Sequence, residues 1–342
     1  TATSSSAVSS SSAVTSSSAV ASSSAVTSSS AVASSSAVTS SSTVTSSSSP
    51  IEGVQYREMV AVPGGTQQIF SLDYDEFSST VTAFSLGKYE VTYELWHAVR
   101  TWATNNGYVI VNAGREGSNG TIGAVPTTAK FHPVSSVNWR DALVWCNAYS
   151  ELAGKTPVYC SDAAIPIKSS NPGGAYLGML DLRAGSVDKP FLKWTANGYR
   201  MPTECEWQRA ASYQGGTIWT EPGYASGATA DVSDSAACDI VSWHCGNSGN
   251  VTHAVEGKKE NQLGIFDMSG NVAEMCHDYV DSWPWDAQTD YQGPAPASGS
   301  YRAVRGGSFS TDSLIGRIAV GGRYYQYAYQ STIDTGFRVA CR

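Results

Sequence analysis

Apolar residues recur along this chain at different periods, and the changes of period mark its parts. From Ser4 to Thr45 a six-residue unit repeats, SSSAV followed by Ser, Thr or Ala, with Val as the largest side chain and no charge. Such a segment cannot bury enough apolar surface to offset its ordering entropy, which predicts a tether over residues 1–50. A fibrous or β-solenoid repeat is the competing reading, because Val at every sixth position is compatible with strand alternation. As a Ser-rich coil this stretch would reach roughly 40 Å.

Beyond it the periods become those of a packed domain. Met59 to Val62 and Phe84 to Tyr89 alternate as strands do. Leu95, Trp96, Val99 and Trp102 then recur at helical spacing, with Thr92 placed to cap, Glu94 in the first turn and Gly107 as a stop. A second helix is predicted from Trp139 to Ala153, capped by Asn138, burying Ala142, Trp145, Cys146 and Tyr149 and ended by Gly154. Thr156 to Trp194 has no sustained period and reads as loops with short strands near Val158 and Leu192. Thr203 and Glu206 form a capping box that starts a third helix. Gln214 to His253 is Gly-, Ser- and Ala-rich and aperiodic, and short strands are expected at Gly264 to Met268, Ala303 to Gly306 and Gly336 to Cys341. Helices gathered early and strands late, without βαβ alternation, predict an α+β domain over residues 51–342.

Composition narrows the functions open to such a domain. Every charge, all ten Trp and all eighteen Tyr lie after residue 50, enough for a large core. A net charge of −8 and a pI near 5.1 argue against nucleic acid as a partner. No stretch is apolar enough to span a membrane, and the start, TATSSS, lacks the basic and apolar regions of a signal peptide. A Ser-rich stalk ahead of an acidic, aromatic domain fits a cell-surface or secreted protein, with a lipid anchor ahead of residue 1 as one means of attachment. Seven cysteines make at least one free thiol; Cys238 with Cys245 and Cys146 with Cys341 are candidate pairs, and buried free thiols are the alternative.

Six segments then occur in order. They are Phe84-Ser-Leu-Gly-Lys-Tyr-Glu-Val-Thr92, Pro133-Val-Ser-Ser-Val-Asn-Trp139 with Asp141-Ala142, Gly198-Tyr-Arg-Met-Pro-Thr-Glu-Cys-Glu-Trp207, Leu263-Gly-Ile-Phe-Asp-Met-Ser-Gly-Asn-Val-Ala-Glu274, Arg305-Gly-Gly-Ser308 and Gly336-Phe-Arg-Val-Ala340. Together they resemble the formylglycine-generating-enzyme (sulfatase-modifying factor) family across nearly all of residues 56–342. The resemblance implies a C-type-lectin-like fold. The family's enzymes place two cysteines shortly after the Gly-Gly-Ser motif for copper-dependent oxidation, whereas Phe309 to Arg317 here contains none. The expectation is therefore a domain without that catalysis; a modifying enzyme using other residues is the alternative. Ala273 and Met275 also stand where the family usually has tryptophans.

The resemblance further implies one Ca²⁺, held by the Asp267 carboxylate and the carbonyls of Met268, Gly270 and Val272. The alternative is that Asp267 and Asn271 only hydrogen-bond the turn. Glu221-Pro222-Gly223 lacks the third residue of a sugar-chelating triplet, and none of the five histidines has metal-motif spacing.

Residues 308–342 use a restricted alphabet, with no Lys, Glu, Met or Trp. Between fixed-looking Arg and Gln residues lie Ser310, Thr311, Asp312, Ser313, Tyr324, Tyr325, Tyr327, Tyr329, Ser331, Thr332 and Asp334. All can be reached by changing the adenines of an Asn codon. The pattern resembles the variable region of diversity-generating retroelement proteins, such as the Treponema variable proteins. Tyr with Ser and Gly is also the alphabet of antibody paratopes, since Tyr gives large contacts at low entropic cost. These eleven residues are thus the candidate ligand-binding face, for a protein or other macromolecule on a host or bacterial surface. Tyr324 and Tyr325 would point oppositely on a strand, so some of the tyrosines are expected in an exposed loop. A closing hairpin with buried tyrosines is the competing reading.

Overall fold

In a computed structural model, residues 51–72, 76–215, 219–297, 299–312 and 317–342 can be described. The chain opens with β1 (Met59–Val62), β2 (Gly65–Phe70), β3 (Glu76–Val81) and β4 (Phe84–Gly87), followed by helix α1 (Tyr93–Asn105). Next come β5 (Arg115–Glu116), β6 (Val134–Ser135) and α2 (Trp139–Leu152). Then β7 (Tyr159–Cys160), a 3-10 turn at Gly174–Tyr176 and β8 (Phe191–Leu192) lead to α3 (Glu204–Ser212) and α4 (Ser235–Val241). The last elements are β9 (Ala273–Val280), β10 (Gln288–Thr289), β11 (Tyr301–Arg305), β12 (Arg323–Gln326), β13 (Thr335–Gly336) and β14 (Ala340–Cys341).

Local chemistry explains the three main helices. Thr92 accepts from the Leu95 N–H, while Asn138 with Asp141 and Thr203 with Glu206 close full capping boxes. Removing such a cap costs about 1 kcal/mol. The stripes of α1 and α2 meet in the core, where Trp96 stacks on Trp145 at 5.8 Å and Phe337 packs edge-on to both. Both predicted tryptophan stripes are therefore core, apart from Trp102, which is half-buried.

Three sheets frame this core. β4 lies between β1 and β14, joining the first and last strands among the described residues. The second sheet has the order β10-β3-β2, and the third β12-β11-β9-β13. In the third, β9 and β11 are central and β12 is an edge.

The α+β class holds, with several departures from the sequence expectation. Gly264 to Met268 forms no strand; it is irregular backbone in which Asp267 has φ of 56°. Gly336 to Cys341 splits between β13 and β14, and Arg338 between them turns inward to a salt bridge with Glu274. Helix α4 lies within the segment expected to be irregular, and β2, β3, β5, β6, β9, β10 and β12 lie outside the strands that the sequence predicts. All seven cysteines are free, six of them buried, so neither candidate pair is bridged.

Candidate ligand-binding face

Buried arginines set the frame for the C-terminal segment. Arg338 gives two hydrogen bonds to Glu274, at 2.7 and 2.6 Å, and others to the carbonyls of Gly87 and Phe266. One guanidinium thus ties together β4, the 263–274 motif and the last motif. Arg305 donates to the carbonyls of Val320 and Gly322, fixing the backbone that enters β12, and Arg323 pairs with Glu204 of α3 at 2.8 Å. Planar five-donor side chains suit such multiple attachments. Gly307, at φ of 64°, lies so close to Ile318 that an added Cβ would fall 2.8 Å from its side chain, which explains the second glycine of Gly-Gly-Ser.

On this frame β12 presents both of its sides. Tyr324 and Tyr325 are 41 % and 49 % exposed although they are neighbours on a strand. Their rings do not part as strict alternation would send them: they stack at 5.5 Å between centroids, on a strand at the sheet's edge. Tyr327 and Tyr329 lie in the loop after β12 and are half-buried, so the tyrosines divide between strand and loop. On one side Tyr325 meets Tyr301 at 4.6 Å between ring centroids, and Tyr301 meets Tyr327 at 4.3 Å, with their hydroxyls 2.9 Å apart. Tyr327 stacks on Tyr329 at 5.0 Å, and the guanidinium of Arg140 lies over the Tyr329 ring at 5.7 Å. This is a continuous aromatic patch, partly open to solvent, rather than a buried hairpin core.

On the other side, Tyr324 and Gln326 border a cavity of about 110 Å³ together with Arg317, Gln330, Thr332 and Asp334. Thr311 and Ser308 complete the rim, and Ala273 lies on its wall, where a tryptophan would take up space. The Arg317 guanidinium covers the Tyr324 ring at 4.2 Å. Ser310 contacts Asp334 at 3.4 Å and also hydrogen-bonds Ser308. Thr332 donates to Thr335, and its carbonyl accepts from Ser136.

The structure therefore places Thr311, Tyr324, Thr332 and Asp334 around one cavity, and Tyr325, Tyr327 and Tyr329 in the patch beside it. Ser310, Asp312 and Ser331 are exposed on the same segment. Ser313 lies outside the described residues. Tyr301 in the patch and Arg317, Gln326 and Gln330 at the cavity are not among the sequence candidates: the last three read as fixed framework, and Tyr301 precedes the segment.

The proposed calcium ligands occupy the turn before β9. Asp267 is buried; its Oδ2 accepts from the Glu256 N–H at 2.9 Å, and its Oδ1 has no partner among the described residues. Burial raises its pKa to about 6 from the usual 3.8. Glu90, raised well above the usual range mainly by burial and next by Asp267, accepts from the Asn271 side chain and the Val272 N–H. The Asn271 side chain also exchanges hydrogen bonds with the His253 backbone, so it ties the turn to two other segments. The unpaired anionic oxygen of Asp267 fits a hard cation, for which Met268, Gly270 and Val272 offer backbone carbonyls in the same turn. Among the described residues, no three His, Cys, Asp or Glu side chains cluster as a metal site.

The family model described as a sulfatase-modifying factor enzyme 1-like domain matches residues 45–342. The chain belongs to that family. Its similarity to solved structures includes Treponema denticola variable protein 1, at 31 % identity and a TM-score of 0.63, covering 83 % of this chain and 94 % of that one. The fold is therefore C-type-lectin-like, as the six motifs implied. CarF, 24 % identical with a TM-score of 0.59, shares the fold over 83 % of this chain and 98 % of its own. Among curated relatives, the chaperone protein LppX of Paenibacillus barcinonensis is 28 % identical over 78 % of this chain and 84 % of its own length. The formylglycine-generating enzyme of Streptomyces coelicolor is 29 % identical over 44 % of this chain and 48 % of the enzyme. The proteins that this chain is similar to thus include enzymes as well as a variable protein. No helix among the described residues is long and apolar enough to cross a membrane.

Proposed function

We propose that this family member is a non-catalytic, ligand-binding protein whose C-terminal segment is a diversified contact face for a macromolecule on a host or bacterial surface. The observation that carries this is the exposure of adjacent Tyr324 and Tyr325 on an edge strand whose backbone is pinned by buried arginines. A fixed backbone lets side chains change without unfolding, and exposed tyrosines supply contact area at low entropic cost. Likeness to a Treponema variable protein supports the same reading, as does the restricted alphabet of residues 308–342, which fits retroelement mutagenesis of template adenines. The cysteine-free stretch after Gly-Gly-Ser supports the absence of oxidase chemistry.

Residues 1–50 act as the display tether of a cell-surface or secreted protein, with a lipid anchor ahead of residue 1 as its attachment. One structural Ca²⁺ at Asp267, with the carbonyls of Met268, Gly270 and Val272, steadies the turn before β9.

The test is an array of host and bacterial surface proteins probed with the full chain and with a variant carrying Ala at Tyr324, Tyr325, Tyr327 and Tyr329. The wild type should bind a discrete partner that the folded variant does not. Equal binding by both would show that the face is elsewhere.

A further inference from the structure

The cavity beside Tyr324 has a chemistry of its own. At about 110 Å³ it is far below the roughly 300–1,000 Å³ of small-molecule pockets, and smaller than the ~150 Å³ void that accepts a benzene. It has room for a single side chain of a few heavy atoms. Gln326 is only 4 % exposed, and its Nε2 has no hydrogen-bond partner among the described residues. A buried donor left unmatched costs free energy, which an entering acceptor would recover.

The other walls decide what the acceptor belongs to. Asp334 lines the same space, and the contact of its carboxylate with Ser310, at 3.4 Å, is at the long limit of a hydrogen bond. A second carboxylate would be repelled there, and an ammonium would leave the Gln326 donor unmatched. The Arg317 guanidinium is laid over the Tyr324 ring. A primary amide meets both walls, since its carbonyl oxygen accepts from Gln326 Nε2 and its NH₂ donates to Asp334.

We propose that this cavity is a socket for one Asn or Gln side chain of a protein partner, with Gln326 and Asp334 reading the two ends of the amide. The proposal rests on the reading of the C-terminal segment as a binding face. Within it, Gln326 belongs to the constant framework and Asp334 to the residues that vary, so amide preference would come and go with position 334.

The test uses the full chain as bait for a displayed library of random peptides. Recovered peptides are then made synthetically and titrated against the wild type, Gln326→Leu, Gln326→Met and a Tyr324→Ala/Tyr325→Ala variant. The recovered peptides should share an Asn or Gln whose replacement by Leu weakens binding about ten-fold or more. Gln326→Leu and Gln326→Met should weaken them similarly, and neither should matter to a peptide already lacking the amide. Both Gln326 variants should fold at least as well as the wild type, since they delete an unmatched buried donor. Peptides that share no Asn or Gln, or an amide replaceable at less than about two-fold cost, overturn the socket. If the tyrosine variant loses binding while the Gln326 variants keep it, the socket fails and the binding face stands. Binding that survives the tyrosine changes, or a library that yields no peptide, overturns both.

Discussion

Arginine is used in opposite ways in the scaffold and in the face it carries. In the scaffold Arg338, Arg200 and Arg140 are almost wholly buried, each doubly bonded to a carboxylate of Glu274, Glu206 or Asp188. On the face Arg317 is exposed and rests on an aromatic ring. A buried charge whose partner is lost stays buried and unpaired, whereas an exposed one returns to water. The fold is thus intolerant of change at its buried pairs, and least so at exposed positions of residues 308–342 such as Arg317 and Ser331.

That contrast can be broken most directly at its most buried pair. Glu274→Ala strands Arg338 and should cost about 3–5 kcal/mol in chemical denaturation, enough to unfold much of the population. A loss below about 1 kcal/mol would mean that the arginine frame does not hold the fold. Asp267 tests the same frame through pH. Its folded pKa of about 6 exceeds the usual 3.8, so the folded state binds the extra proton and stability falls as pH rises from about 4 to about 6. The loss should approach 3 kcal/mol without added metal. Asp267→Asn should flatten that slope in thermal melts, and millimolar Ca²⁺ should restore wild-type stability above pH 6 if the cation binds there. Thr203→Ala removes a helix cap and should cost about 1 kcal/mol. Smallest of all, Ser331→Ala on the face should change stability by less than about 0.5 kcal/mol.

Much of the scaffold was legible because its signals are local. Caps at Thr92 and Asn138 with helical apolar spacing placed α1 and α2 almost to the residue, and the Thr203 capping box placed the start of α3. β9 escaped because it is buried on both faces, so Ala273 to Val280 shows no alternation. β2 carries Gln67 and Gln68, and Gln67 is buried through Arg209, a partner that spacing cannot reveal. Helix α4 is a single short stretch amid small residues, too brief for a period to register. On the face, the alphabet of residues 308–342 pointed to the tyrosines. It hid Gln326, whose importance arises from a missing partner, which only three-dimensional packing exposes.

The pairing of β14 with β4 also sets the order in which the fold can close. Ala340 and Cys341 lie beside Leu86 and Ser85, about 250 residues away along the chain. Such a non-local pairing is slow to form, because the entropy of closing a long loop is lost before the contact rewards it. Until it forms, β4 is an unpaired edge, the kind of strand that invites association with another chain.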